Sequence, residues 1–288
     1  MKKYFYEIIM VMSLFASCKN NTENKSKSLI DLDRALTGEN EVQRNIHIMA
    51  KPDSISIDVS STAIVVVDME NDFGAKGGMF DHAGIDISMI QKVIDPTAKV
   101  LAAAREAGIK IIYLKMGYHK DLSDLGNGES VNRMRHLRFM HVGDAIVAPN
   151  GVKSRILIRD SWGTEIISKL KPEAEDIVIY KTRFSGFYQT TLDSALKQLH
   201  KKNLIITGCT TSICVESTVR DAMFRDYLPI VLGDCTAEPI GYNFTRSNHE
   251  ASLLNIQSLF GWVSTSKDFI NALKKQTGRK FAKTSVAY

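Results

Sequence analysis

Several function classes are excluded by what the chain lacks. No strand-GxGxxG-helix fingerprint and no P-loop spacing occurs anywhere in it, so motif-borne dinucleotide or nucleotide-phosphate binding has no support. The short ligand spacing of a zinc or iron motif is also missing. Neither a metal nor any other cofactor is expected. The one leading apolar stretch, Ile8 to Ala16, is too short to cross a bilayer as a helix. The basic residues near the C-terminus, Lys274, Lys275, Arg279, Lys280 and Lys283, have no aromatic interleaving that would stack bases, so they read as a solvated face and no nucleic-acid partner is expected. There is no internal repeat. Cysteine occurs only four times, as Cys18, Cys209, Cys214 and Cys235. With Cys18 set aside, an odd count leaves at least one free thiol, and no disulfide is expected.

What is present is ordinary for a soluble globular chain: 288 residues, 44% hydrophobic, 24% charged, net charge +5. The first residues combine a positive start (Lys2, Lys3), the short apolar stretch and the small residues before Cys18, the pattern of an export signal. Leu14-Phe15-Ala16-Ser17-Cys18 is similar to a bacterial lipobox, with Glu7 and Phe15 as departures from the commonest form. The expected organisation is a signal peptide over 1–17, a lipidated Cys18 and polar linker over 18–50, a folded domain over 51–275 and a basic tail over 276–288. The linker is rich in Asn, Lys, Ser, Thr and Glu, a composition that buries too little to fold alone. Such a chain would be an exported lipoprotein held at a membrane through Cys18.

Within the folded part, helical periodicity over Ile90 to Ala107 closes at Gly108, and Lys110 to Lys115 reads as a strand. Gly117 to Arg159 reads as loop-rich, with His119, Arg133, Arg135, His136, Arg138 and His141. Thereafter come a helix over Thr191–His200, a strand over Asn203–Thr207, a helix over Cys214–Arg225, a strand over Leu228–Gly233, a helix over Asn243–Ile256 and a strand near Gly261–Ser264. Alternating strands and helices predict an α/β fold, a doubly wound and mostly parallel β-sheet flanked by helices.

The most specific stretch is Gly208-Cys209-Thr210-Thr211-Ser212-Ile213-Cys214-Val215-Glu216-Ser217-Thr218-Val219-Arg220-Asp221-Ala222, after the apolar run Leu204-Ile205-Ile206-Thr207. Strand, tight turn and helix place Cys214 near a helix N-terminus, where free N–H groups and the macrodipole favour a thiolate. Taken alone, Cys214 is equally well a small buried hydrophobe. Two other strands shift the balance. Ala63 to Val67 ends at Asp68, and Asp176 to Tyr180 ends at Lys181. By themselves Asp68 and Lys181 would be an ordinary ion pair. In a parallel sheet, however, ligand chemistry collects outside the carboxyl ends of the strands, so the three would meet at one crevice.

On these residues the chain, from about Thr62 to Ile270, resembles the isochorismatase-like cysteine hydrolases, whose catalytic triad is Asp, Lys and Cys. The resemblance implies Cys214 as nucleophile, Asp68 as proton acceptor and donor, and Lys181 as the group that holds Asp68 and favours the thiolate. It also implies a cis Cys209–Thr210 peptide, with the backbone N–H groups of Thr210 and Cys214 as the oxyanion hole. Metal-dependent nicotinamidases of this superfamily carry Asp-x-His near Gly117-Tyr118-His119-Lys120-Asp121, which this chain does not. Lys181-Thr182-Arg183-Phe184-Ser185-Gly186-Phe187, Cys214-Val215-Glu216-Ser217-Thr218 and Phe260-Gly261-Trp262-Val263-Ser264 are most similar to ureidoacrylate amidohydrolases. Gly77 to Gly84 and Gly117 to Leu122 resemble both those and the related biuret hydrolases; Met116 stands where ureidoacrylate enzymes tend to have Asn.

Phe73, Tyr118, Trp162 and Phe187 are candidates to line the substrate pocket, although aromatics are more often core, and Gln257 to hydrogen-bond a ureide, although an exposed-face Gln is the plainer reading. The expected activity is hydrolysis of a C–N bond in a small amide or ureide, with release of ammonia, by a homo-oligomer. The competing readings are a nicotinamidase-like or other amidase, a vinyl-ether hydrolase, which would lack the nucleophilic cysteine, and a non-catalytic binding lipoprotein.

Overall fold

The computed structural model describes residues 44–284, with side chains through Gln276. The expected signal peptide, Cys18 and most of the linker lie outside the described residues.

Among the described residues, ten strands and eight α-helices follow in chain order. The strands are β1 (Asn45–Ile48), β2 (Ile55–Asp58), β3 (Thr62–Val67), β4 (Lys110–Met116), β5 (Ala145–Val147), β6 (Lys153–Arg155), β7 (Ile177–Lys181), β8 (Asn203–Cys209), β9 (Leu228–Ala237) and β10 (Trp262–Ser264). The helices are α1 (Asn71–Gly74), α2 (Met79–His82), α3 (Ser88–Glu106), α4 (Val131–Phe139), α5 (Leu192–Gln198), α6 (Glu216–Met223), α7 (Asn248–Asn255) and α8 (Ser266–Thr284). Six strands form one parallel sheet in the order β10-β9-β8-β3-β4-β7. The doubly wound sheet read from the sequence is therefore the one observed.

Central strands of such a sheet are covered on both faces, which is why β3 (TAIVVV) and β8 (NLIITGC) are buried at every position. Alternate side chains divide between two cores. Ile64 and Val66 join Val100, Leu101 and Ala104 of α3 and Phe269 of α8 on one face. Ala63, Val65 and Val67 join Leu192 and Leu196 of α5 and Val219 and Ala222 of α6 on the other. Each fully buried Val or Ile contributes about 1.5–3 kcal/mol.

The fold begins earlier than the expected boundary at 51. β1 and β2 pair antiparallel, Ile46 and Ile48 are buried, and Lys51 exchanges two backbone hydrogen bonds with Val263 of β10, of 2.8 and 3.0 Å. A four-residue strand alternating Asn-Ile-His-Ile is too short a signal to stand out from a polar linker, but its two isoleucines fill the first core. At the other end α8 runs to Thr284, past the expected start of a tail at 276. Among the described residues no helix is long and apolar enough to cross a membrane.

From β3 the chain goes to β4 and β7 on one side, then crosses back to β8, β9 and β10 on the other. The order reverses between β3 and β8, and the crevice at their carboxyl ends is the expected ligand position. Close approach there demands Gly208: its φ is +118°, and a Cβ would lie 2.0 Å from the Val67 carbonyl oxygen.

Candidate active site

Asp68 follows β3 directly, in the left-handed region at φ 51°, which Asp tolerates better than most residues. Its backbone is pinned: its N–H donates to Leu114 O at 2.9 Å, and its carbonyl accepts from the Cys209 thiol at 3.1 Å. Lys181 ends β7, two strands away, and reaches Asp68 across the end of β4, where it is in register with Met116. Its Nζ lies 2.8 Å from Asp68 Oδ2, 3.2 Å from Met116 Sδ, 3.2 Å from Arg183 O and 3.4 Å from Cys214 Sγ. Met116 thus forms the floor over which the ammonium crosses.

Cys214 sits in a π-helical turn, Thr211–Val215, that leads into α6. The Thr210 carbonyl accepts from Ile213 N at 3.2 Å and Val215 N at 3.1 Å, and the Cys209–Thr210 peptide is cis. Thr210 and the nucleophile are thereby held on one rigid turn at the crevice. Asp68 and Lys181 are fully buried, and Cys214 retains 4% exposure, so only the sulfur end of the cluster is reachable from outside.

Electrostatics in this closed site correct one expectation. The helix start and Lys181 were expected to leave Cys214 a thiolate; instead burial pushes the thiol up, with Asp68 adding to the rise and Lys181 opposing it. Burial raises the Asp68 carboxyl, while Lys181 and a hydrogen bond from Cys214 hold it down. Lys181 is raised, because the Asp68 and Cys214 attractions outweigh its burial. The Asp68 carboxyl and the Lys181 ammonium lie 2.8 Å apart, with the Cys214 sulfur 3.4 Å from the same Nζ. Moving a proton from Cys214 to Asp68 leaves the total charge of the three unchanged, so the transfer avoids the cost of creating a net charge in a low-dielectric site.

The pocket candidates divide. Tyr118 is buried beside the triad, donating to Thr182 O at 3.2 Å, and burial pushes its phenol up while the Lys181 charge opposes that. Phe73 packs edge-on against Phe80 at 5.0 Å within the first core. Phe187 stacks on Tyr227 at 5.7 Å within the second. Trp162 is half-buried, and its carbonyl accepts from Asn71 Nδ2 at 2.8 Å. Gln257 lines a groove at the β9–β10 edge, whose lining holds none of the triad. Among the described residues Cys209, Cys214 and Cys235 are all free, and no His, Cys, Asp and Glu side chains gather as a metal site.

Three residues near the site carry no sequence signal of their own. Glu238, after β9, accepts from the N–H and hydroxyl of Ser212 at 3.0 and 2.5 Å and from Ile240 N at 3.0 Å, fixing the start of the nucleophile turn. Glu70 is fully buried with neither carboxyl oxygen partnered among the described residues; burial, then the Asp68 and Asp72 charges, push its carboxyl well up. His136, on α4 in the segment read as loop, is fully buried between Tyr118 and Phe184. Only tertiary contact brings these three to the triad.

The isochorismatase domain profile matches residues 62–268. The chain is 38% identical over 226 residues to the ureidoacrylate amidohydrolase RutB of Caulobacter segnis, covering 78% of this chain and 90% of that one. It is 35% identical over 243 residues to the protein of that name from Acinetobacter baylyi, covering 83% and 93%. Among solved structures, a cysteine hydrolase from Pseudomonas syringae pv. phaseolicola superposes with a TM-score of 0.62 at 28% identity, covering 76% of this chain and 95% of that one.

Proposed function

We propose, from the premise that this chain belongs to the isochorismatase domain family, that it is a cysteine hydrolase cleaving a carbon–nitrogen bond of a small ureide of the ureidoacrylate or biuret type. The observation that carries the reading is the convergence of Asp68, Lys181 and Cys214 at the strand-order reversal. The relatives named ureidoacrylate amidohydrolase support the substrate class.

Asp68 takes the Cys214 proton as the sulfur attacks the carbonyl carbon, giving a tetrahedral intermediate whose oxyanion is assigned to the N–H groups of Thr210 and Cys214. Protonated Asp68 then gives its proton to the departing nitrogen, the C–N bond breaks, and an acyl-cysteine remains. Water, deprotonated by Asp68, attacks the thioester; collapse releases the acid, and the proton returns to the sulfur. Throughout, Lys181 keeps the charge of the cluster balanced. A vinyl-ether hydrolase would have no use for Cys214, which speaks against that reading.

Ammonia release from ureidoacrylate, biuret, nicotinamide and other simple amides, with isochorismate turnover followed alongside, tests the proposal. A ureide specialist prefers ureidoacrylate or biuret to nicotinamide by at least about tenfold in kcat/KM, since a simple amide leaves buried polar groups unpaired. Equal or better turnover of nicotinamide overturns the ureide reading, and turnover of isochorismate alone overturns the amidohydrolase reading. The proposal places this activity in an exported homo-oligomer anchored through lipidated Cys18. Detergent partitioning of the full chain that persists in Cys18→Ala would refute the anchor, and a monomer by light scattering would refute the assembly.

A further inference from the structure

His136 has an unusual combination of properties for a buried histidine. The residue is fully buried, yet only one ring nitrogen is engaged. Nδ1 lies 2.7 Å from the backbone carbonyl of Asn132, one helical turn back. A carbonyl oxygen can only accept, so Nδ1 carries the ring proton and Nε2 is left as a bare lone pair. That lone pair has no partner among the described residues. A buried acceptor left unpaired is costly, and in native structures such a group calls for an explanation.

The surroundings of the ring point to the active site. Tyr118 meets it edge-on at 5.5 Å and Phe184 stacks on it at 5.6 Å with 27° between planes. Phe184 lies three residues after Lys181 and is 37% exposed, while Tyr118, on the other side of the ring, is fully buried. Burial, with the Lys181 and Arg183 charges adding to it, lowers the His136 pKa to about 4, although the Asn132 carbonyl works the other way. At neutral pH the imidazole therefore stays neutral and accepting.

We propose that His136 Nε2 accepts a hydrogen bond from a substrate N–H next to the scissile carbonyl, and so selects ureides and amides that keep a free N–H there. This rests on the reading of the protein as an amide or ureide hydrolase. A neutral lone pair at this place rewards a donor and penalises an acceptor-only group such as a carboxylate, while the two aromatic rings restrict the ligand there to a flat one. Cys214 performs the chemistry, and His136 sorts what reaches it.

The test pairs a ureide bearing a free terminal NH₂ with its N,N-dimethylated analogue, which has no N–H there, on the full chain and on His136→Phe and His136→Gln. The phenyl ring keeps the stack and deletes the acceptor. The Gln amide oxygen can stand near the Nε2 position. In His136→Phe, kcat/KM for the free-NH₂ ureide falls at least about tenfold, the loss of one buried hydrogen bond, while the analogue is little changed, so the preference collapses. His136→Gln retains part of the preference. The iodoacetamide alkylation rate of Cys214 stays within about twofold in both variants, a readout that damage to the triad would move. Calorimetric binding of the same ligands to Cys214→Ala, with and without His136→Phe, reads the contact without turnover. An undiminished preference in His136→Phe, or no preference in the Cys214→Ala parent, overturns the assignment. Failure of the unmodified protein to hydrolyse any amide or ureide overturns the functional reading instead.

Discussion

Two hollows of this molecule treat their charged groups in opposite ways. The groove at the β9–β10 edge, lined by Met49, Lys51, Leu254 and Gln257 among others, has a volume of about 560 Å³. Its acids are committed to structure: Asp234 accepts from Ser266 N at 2.7 Å and Ser266 Oγ at 2.6 Å, Asp268 from Thr265 Oγ1 at 2.7 Å, and Glu250 closes the capping box of α7. At the β3–β8 crevice the charges are fully buried, while Glu70 and His136 Nε2 keep unused hydrogen-bonding capacity. Volume marks where something fits. Unsatisfied capacity beside a buried ion pair marks where something reacts, because interactions there escape the screening of water.

The largest effect that would break this contrast is at Lys181. Lys181→Met leaves Asp68 as an uncompensated buried charge, a situation that costs about 3–5 kcal/mol. Urea unfolding should show that loss, with activity gone, and adding Asp68→Asn should restore much of the stability without restoring activity. A stable Lys181→Met protein would mean that the crevice is wetter than its burial indicates. Cys214→Ala separates the two roles, since it abolishes hydrolysis but removes only a small neutral side chain, with a stability change of about 1 kcal/mol. Alkylation should find Cys214, which retains 4% exposure, before Cys209 or Cys235, which are fully buried.

A smaller effect sharpens the contrast through pH. Asp72, fully buried beside the crevice loops, accepts from Leu157 N at 2.7 Å and Met79 N at 3.2 Å, yet burial raises its pKa from 3.8 to about 6. The fold therefore prefers the neutral acid: its contribution is full below pH about 4, is lost as pH rises to about 6, and is constant above. Two pKa units correspond to about 3 kcal/mol. Comparing urea midpoints of the unmodified protein and Asp72→Asn from pH 4 to 7 isolates this slope, because the other groups are common to both. A difference that grows in favour of the Asp protein as pH rises would have the wrong sign and would refute the burial argument.

The parts of the site that were legible in the sequence are those carried by the strands. Asp68, Lys181 and Cys214 each end or follow an apolar run, and a parallel sheet sends all such ends to one edge. The charge state of Cys214 was not legible, since it depends on how completely α6 and its neighbours exclude water. Nor was α4: VNRMRHLRF exposes Met134, Leu137 and Phe139 and buries His136, so its polarity follows no helical stripe. Asn243–Ile256 was read as one helix, but α7 begins only at Asn248, where Ser247 and Glu250 form a capping box whose signature, S-x-x-E, was present to be read. Glu238 and Glu70 gain their roles only when residues far apart in sequence meet.

The smallest expected effect concerns Gln257, which sequence reasoning offered as a ureide contact. It lies in the π-helical turn Ile256–Phe260 and lines the edge groove beside Val263 and Ser264 of β10, whereas the triad gathers at β3, β7 and β8. β9 stands between β10 and β8, and adjacent strands are about 4.8 Å apart, so the two hollows are separated by about two strand widths before any side chain is counted. A hydrogen bond from Gln257 to a substrate on Cys214 would have to span that gap. Gln257→Ala should therefore leave kcat/KM for the best ureide within about twofold and change stability by no more than about 0.5 kcal/mol, as for surface substitutions generally. A drop of tenfold or more, with Cys214 alkylation unchanged, would show that the groove and the crevice act on one ligand and that their separation is not functional.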